Sequence, residues 1–334
     1  MDSLFSVWRD GWKRVLAAPA IVAGVYVMTF ALALPLAITL RGALAAHLGS
    51  SLAAETAATG VDVDWWQEFT AQATGLRTTF APSIIGFATV LDNVGGVLDG
   101  RAPVAPVAAA LALYLAGWAF LSGGILDRYA RQRAIRTHAF FAASGVYFFR
   151  FLRLGAIAGL VYWWLFAYVQ PWLFDEQFVN LTRGLSVERN AFLLRALFYV
   201  LFGAALVATG IVVDYAKVRM VVEDRRSAMG ALSGSIRFVR NHGRHVVALY
   251  AMNTLTFLAL LALWAIVTPG AGGSGISMWV SFVVAQLYIV ARLVMKLQFL
   301  SSQTALFQSH LAHASYTAAP VPEWPESPAA EAIR

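Results

Sequence analysis

Six long apolar runs, almost free of charge, divide the chain: Pro19 to Leu40, Val104 to Leu126, Leu154 to Phe174, Ala191 to Val213, Val246 to Thr268 and Met278 to Leu300. Each holds 21 to 23 residues, and at 1.5 Å per residue a helix of that length crosses roughly 30 Å of hydrocarbon. Between the first two runs the pattern changes. Ile84, Phe87, Ala88, Leu91, Val94 and Leu98 recur at helical spacing, which predicts an amphipathic helix from Pro82 to Leu98 too short to span. It is expected to be a gate or lid over a central cavity, or a cap on the ends of the bundle.

Composition sharpens this pattern into a class. Of 334 residues, 59% are hydrophobic and 13% charged, about half the charge of an ordinary soluble domain. A soluble core of this size cannot hide six such runs. The predicted fold is therefore all-α: a polytopic membrane helix bundle of six transmembrane helices arranged as three hairpins. Residues 1–313 form the membrane domain, with an extracytoplasmic insert at 42–103. Residues 314–334, with Pro320, Pro322, Pro325 and Pro328, form a disordered cytoplasmic tail.

Charge gives direction. With the N-terminus placed in the cytoplasm, 19 of the 25 Lys and Arg fall on the cytoplasmic side and six outside, while the 18 acids divide evenly. A bias carried by cations alone is the positive-inside pattern. Both termini are thus expected in the cytoplasm, in the cell membrane. The pI near 9.9 then reflects cytoplasmic loops rather than nucleic-acid binding. The chain has no cysteine, which excludes disulfides and thiolate ligands within it.

Three cytoplasmic segments that enter outward spans share a mixture of aromatic and basic residues: Ser6 to Arg14, Ser144 to Arg153 and Ser233 to Arg240. Two inward spans end alike, in Asp127-Arg-Tyr-Ala-Arg131 and Asp214-Tyr-Ala-Lys217, with a looser third in Ala291-Arg292 and Lys296. This predicts a hairpin used three times, each preceded by an amphipathic helix on the membrane surface. With Val213 to Arg219 and Ser227 to Phe238, the pattern resembles multi-span bacterial membrane proteins similar to the membrane domain of glycerophosphodiester phosphodiesterases. Those enzymes carry their chemistry in a separate soluble domain, so the resemblance implies the non-catalytic part.

Few residues invite chemistry. Arg292 and Lys296 stand four apart on one face of the last span and are candidates for holding an anionic headgroup or solute. Placed four to eight residues from the span's end, they could instead snorkel to the interface or pair with Asp127 or Asp214. Asn253 and Gln286 are the candidates for a polar path through the last hairpin. Arg150, Arg153, Arg237 and Arg240 form a basic face for anionic lipid headgroups. Asp127 and Asp214 are structural ion-pair candidates. His242, His245, His310 and His313 give two His-x-x-His pairs, weak metal candidates with no nearby carboxylate. Gly155, Gly159, Gly203 and Gly210 are expected to allow close helix packing.

No Walker loop, dinucleotide-binding turn, His-Glu-x-x-His or nucleophile elbow occurs, so neither enzyme activity nor a cofactor is expected. The expected function is a scaffold that organises membrane lipids or a protein partner. The alternative is a transporter or channel for a small solute or lipid, with a path among the hairpins.

Overall fold

The computed structural model describes residues 4–49, 51–59, 62–80, 88–133, 136–184, 187–267 and 275–318. In chain order the helices are α1 (Leu4–Leu16), α2 (Pro19–Leu48), α3 (Ala53–Thr59), α4 (Val63–Gln72), α5 (Ala88–Leu98), α6 (Ala105–Arg131), α7 (Thr137–Trp164), α8 (Phe178–Thr182), α9 (Glu188–Val222), α10 (Ala228–Asn241), α11 (Gly243–Val267) and α12 (Ile276–Ala318). No strand occurs among the described residues. Ile84, Phe87 and residues 319–334 of the tail lie outside them, as do the side chains of Ala88, Leu91 and His313.

Among the described residues, six helical stretches are long and apolar enough to cross a membrane: α2, α6, α7 through α8, α9, α11 and α12 up to Leu311. In their most apolar windows only 6% to 33% of the residues are buried. Val27, Leu160, Val200, Leu255 and Val280, one from each of five stretches, are all more than half exposed. Apolar surface on that scale is stable only against lipid. The chain is a multi-pass helix bundle.

Helix ends depart from the apolar runs for identifiable reasons. α2 starts with Pro19 at its first turn, where a missing N–H costs nothing. α7 runs on past Trp164 through π-helical turns at Leu165–Val169 and Trp172–Gln177, either side of Pro171. Proline there cannot donate to the preceding turn, and wider turns take up the mismatch.

At one end of the bundle, called here the basic end, three interfacial segments pack on the ends of three spans. α10 docks on α9, where Ser235 Oγ donates to the Val212 carbonyl at 2.7 Å. α1 docks on α12: Gln298 Nε2 donates to the Trp8 carbonyl at 3.0 Å and Ser301 Oγ to that of Gly11 at 2.9 Å. The middle segment differs from the predicted pattern. Ser144 to Arg153 is no separate surface helix but the middle of α7, continuous with its span, and α7 packs on α6. Gly123 and Gly124 make that approach, since a Cβ on Gly124 would come within 2.8 Å of Phe140. Of the glycines expected to do this work, only Gly210 faces a neighbouring helix, where a Cβ would lie 3.5 Å from the Tyr162 hydroxyl. A Cβ on Gly155, Gly159 or Gly203 would meet nothing within 4 Å.

Arg14 ties the basic end together. It is 8% exposed and donates to the Tyr129 carbonyl at 3.0 Å and to Gln308 Oε1 at 2.7 Å, while Asp10 pairs with it at 2.6 Å. Burial pulls its affinity for a proton down, and the neighbouring Asp10 carboxylate restores part of it.

At the far end, Trp65, Phe69 and Phe80 gather around His47, with Trp65 Nε1 against His47 Nδ1 at 3.0 Å. α5 packs on α9 there. Tyr199 donates to Asp99 Oδ1 at 2.6 Å, and Leu98 joins the cluster of Leu165, Leu173, Phe198 and Phe202.

Candidate functional site

α12 carries the two candidate cations, and what surrounds them decides their role. Lys296 points at α6. Its Nζ donates to the Tyr114 hydroxyl at 2.8 Å and lies 3.7 Å from the centre of the Trp118 ring and 4.7 Å from that of Tyr114. Tyr114 and Trp118 are one helical turn apart and stack at 11° between planes. Their two π faces form a half-cage for an ammonium, an attraction that strengthens as water is removed.

The position along the span matters as much as the partners. Tyr114 is nine residues after Ala105 and twelve before Leu126, so the contact lies about 14 Å from one end of the apolar length of α6 and about 18 Å from the other. Lys296 meets this contact from a helix whose own apolar run ends four residues later, at Leu300. It forms no ion pair with an aspartate. Asp127 binds Arg131 at 2.7 Å and Asp214 binds Lys217 at 3.0 Å, with the Tyr250 hydroxyl on the second oxygen of Asp214. Among the described residues neither Lys296 nor Arg292 has a carboxylate at ion-pair distance.

Arg292, one turn away, is exposed, with its guanidinium 5.7 Å from the Tyr288 ring centre. Both cations line a cavity of about 830 Å³ between α2, α6, α11 and α12. Its other walls are mostly hydrocarbon: Leu32, Ala33 and Leu36 of α2, Val107, Ala110 and Leu111 of α6, Phe257 of α11, and Ile289, Leu293 and Phe299 of α12. A cavity of this size with few polar groups suits a ligand with an anionic head and a hydrocarbon body.

The other candidates fall elsewhere. Asn253 is fully buried and donates to Ser302 Oγ at 2.9 Å, while Gln286 accepts from the Tyr26 hydroxyl at 2.8 Å. They bind different helices. Arg150 binds Asp224 at 2.6 Å and lies over Tyr147, leaving its charge locally balanced. That guanidinium holds the Asp224 carboxyl below the usual range. Arg153, Arg237 and Arg240 are exposed at the basic end. His242 and His245 both reach His310, with ring centres 4.2 Å and 5.6 Å apart. The rings meet edge to face as aromatics pack. No group of three His, Cys, Asp or Glu among the described residues is placed to hold a metal ion.

Tyr114 and Trp118 escaped the sequence reading. The available signal was their position: tryptophan favours span ends, and a Tyr and Trp one turn apart at mid-span need a partner. No family model matches the chain, and neither a curated protein nor a solved structure matches it significantly.

Proposed function

We propose that the protein is a non-catalytic lipid-binding protein of the cytoplasmic membrane, with its basic end and both termini in the cytoplasm. The distribution of cations along the chain supports that orientation. The cavity between α2, α6, α11 and α12 holds an anionic amphiphile, a phospholipid. Arg292 and Lys296 take the phosphate and the hydrocarbon walls take an acyl chain. One observation carries the reading: a lysine with no carboxylate at ion-pair distance is held between helices by Tyr114 and Trp118 at the edge of an apolar cavity. An unpaired charge in such a place is costly, and a bound anion repays that cost.

The test is native mass spectrometry of the purified protein, comparing wild type with Arg292→Ala and Lys296→Ala. The expected result is a phospholipid retained by wild type, with each substitution weakening retention about tenfold, the effect of losing roughly 1.4 kcal/mol. Retention equal to wild type in both variants sinks the assignment.

A further inference from the structure

We propose that the basic end carries a second site, for the phosphate of a phosphate monoester, built by Arg131, Arg150 and Arg226 around Asp224. A cavity of about 660 Å³ lies there between the ends of α6 and α9, the middle of α7 and α12, and the three arginines, Asp127 and Asp224 line it. It has no lining residue in common with the Lys296 cavity. The two sites stand or fall separately.

The three cations make little use of their donors within the protein. The Arg150 side chain is only 12% exposed and binds Asp224 Oδ1 at 2.6 Å and the Arg225 carbonyl at 3.4 Å, both through Nη1. Arg131 binds Asp127 at 2.7 Å through Nε alone. Arg226 is exposed and has no carboxylate at ion-pair distance among the described residues. A guanidinium holds five N–H donors in a flat fork, so most of these donors meet no protein acceptor among the described residues. Such forks match the oxygens of a phosphate.

Asp224 stands where that ligand would. Its side chain is 68% exposed, yet the hydrogen bond and charge of Arg150, and then the charges of Arg226 and Arg131, hold its carboxyl below the usual range. It is the chain's own anion in the site, carried on the short connection from α9 to α10. With Asp224 turned out to water, three arginines face Asp127 alone. That excess of two positive charges matches a phosphate monoester at neutral pH, whereas a carboxylate or a phosphodiester brings one negative charge. The cavity is larger than a bare phosphate, and Val146, Val221 and Val222 offer an apolar wall to the group that bears it. A soluble phosphate ester and the headgroup of phosphatidic acid present the same terminal phosphate.

Two probes separate these sources, both applied to full-length protein carrying Lys296→Ala so that the other cavity does not contribute. Inorganic phosphate is titrated by calorimetry into the protein in detergent, and retention of added phosphatidic acid is read by native mass spectrometry. Asp224 has φ +47°, a backbone setting that Asn adopts as readily as Asp. Asp224→Asn therefore removes the competing charge without strain and should bind about tenfold more tightly than its parent. Arg226→Gln, at an exposed position, should bind about tenfold more weakly with its unfolding midpoint unchanged. A gain in Asp224→Asn with inorganic phosphate supports a soluble ester, and a gain confined to phosphatidic acid supports the lipid headgroup. If Asp224 serves only to brace Arg150, Asp224→Asn loses stability and gains no affinity for either probe, which overturns the proposal. Binding by Arg226→Gln equal to its parent overturns it too, as does the absence of binding to both probes in every variant.

Discussion

The two halves of α12 make opposite use of polar residues. From Ile276 to Lys296 the helix is largely open: Ile276, Val280 and Leu287 are more than half exposed, and the cations Arg292 and Lys296 face a cavity. From Leu297 to Phe307 it is enclosed, and Gln298, Ser301, Ser302, Gln303 and Thr304 are all 0% exposed. In that second half each polar side chain has a use inside the protein. Gln298 and Ser301 bind the backbone of α1, Ser302 binds Asn253, and Gln303 binds Tyr250. Hydrogen bonds to fixed backbone atoms set the register of α1 on α12, because a slip of one residue would leave both donors unpaired. Neutral polar groups thus lock one half, and in the other charged groups without carboxylate partners face a cavity.

The contrast breaks most visibly if the lock is disturbed. Arg14→Ala should destabilise the protein by about 3 kcal/mol, since it removes a buried cation and leaves Asp10, Gln308 and the Tyr129 carbonyl without it. Gly11→Val should cost about 2 kcal/mol by overpacking, because a Cβ there would lie 2.9 Å from that of Ser302 and 3.0 Å from the Gln298 amide. Gly159→Ala is the control and should be neutral or stabilising, since its Cβ meets nothing within 4 Å. Thermal unfolding in detergent, followed by tryptophan fluorescence, reads all three. A Gly11→Val protein as stable as wild type would mean that α1 is not locked on α12.

Next in size are substitutions that separate stability from binding. Asn253→Leu should cost about 1 to 2 kcal/mol by removing a buried hydrogen bond, with lipid retention unchanged. Lys296→Met should leave unfolding within about 1 kcal/mol of wild type or raise it, because an apolar chain of similar length replaces a charge with no ion-pair partner, yet retention should fall. If Lys296→Met unfolds as readily as the lock variants, Lys296 belongs to the lock and the division along α12 is wrong.

Much of the open half was legible from sequence, because it is the part that behaves as an isolated span. Apolar length located all six helices, and clustered cations marked the basic end. The enclosed half was not legible. Gln298 to Thr304 reads as a span leaving the membrane, with the last apolar run ending at Leu300. Only the return of α1, 290 residues away in sequence, makes those positions interior. The same long-range effect hid the packing glycines: Gly11 and Gly124 look like ordinary surface-helix and span residues until a partner helix arrives, whereas Gly155 and Gly159 suggest a packing face that nothing occupies.

The smallest effect comes from the histidines where the enclosed half of α12 ends. His242 sits against His310 of α12 and near His245 of α11, with Arg237 and Arg240 on its own helix and Arg244 beside it in sequence. Burial first, and then the nearby charge of His310, pulls its affinity for a proton below the ordinary value. The unfolded chain therefore takes up a proton near pH 6.5, before the folded protein does. Stability from this group is present above that pH and is lost as pH falls through it toward the lower folded value. Unfolding midpoints measured between about pH 8 and pH 5 should decline on the acid side, and His242→Phe should flatten part of the decline while keeping the ring contact with His310. Lipid retention at Lys296 should hold across the same range if the two halves of α12 act separately. A joint loss of stability and binding would show that acid loosening at the basic end is transmitted along the helix.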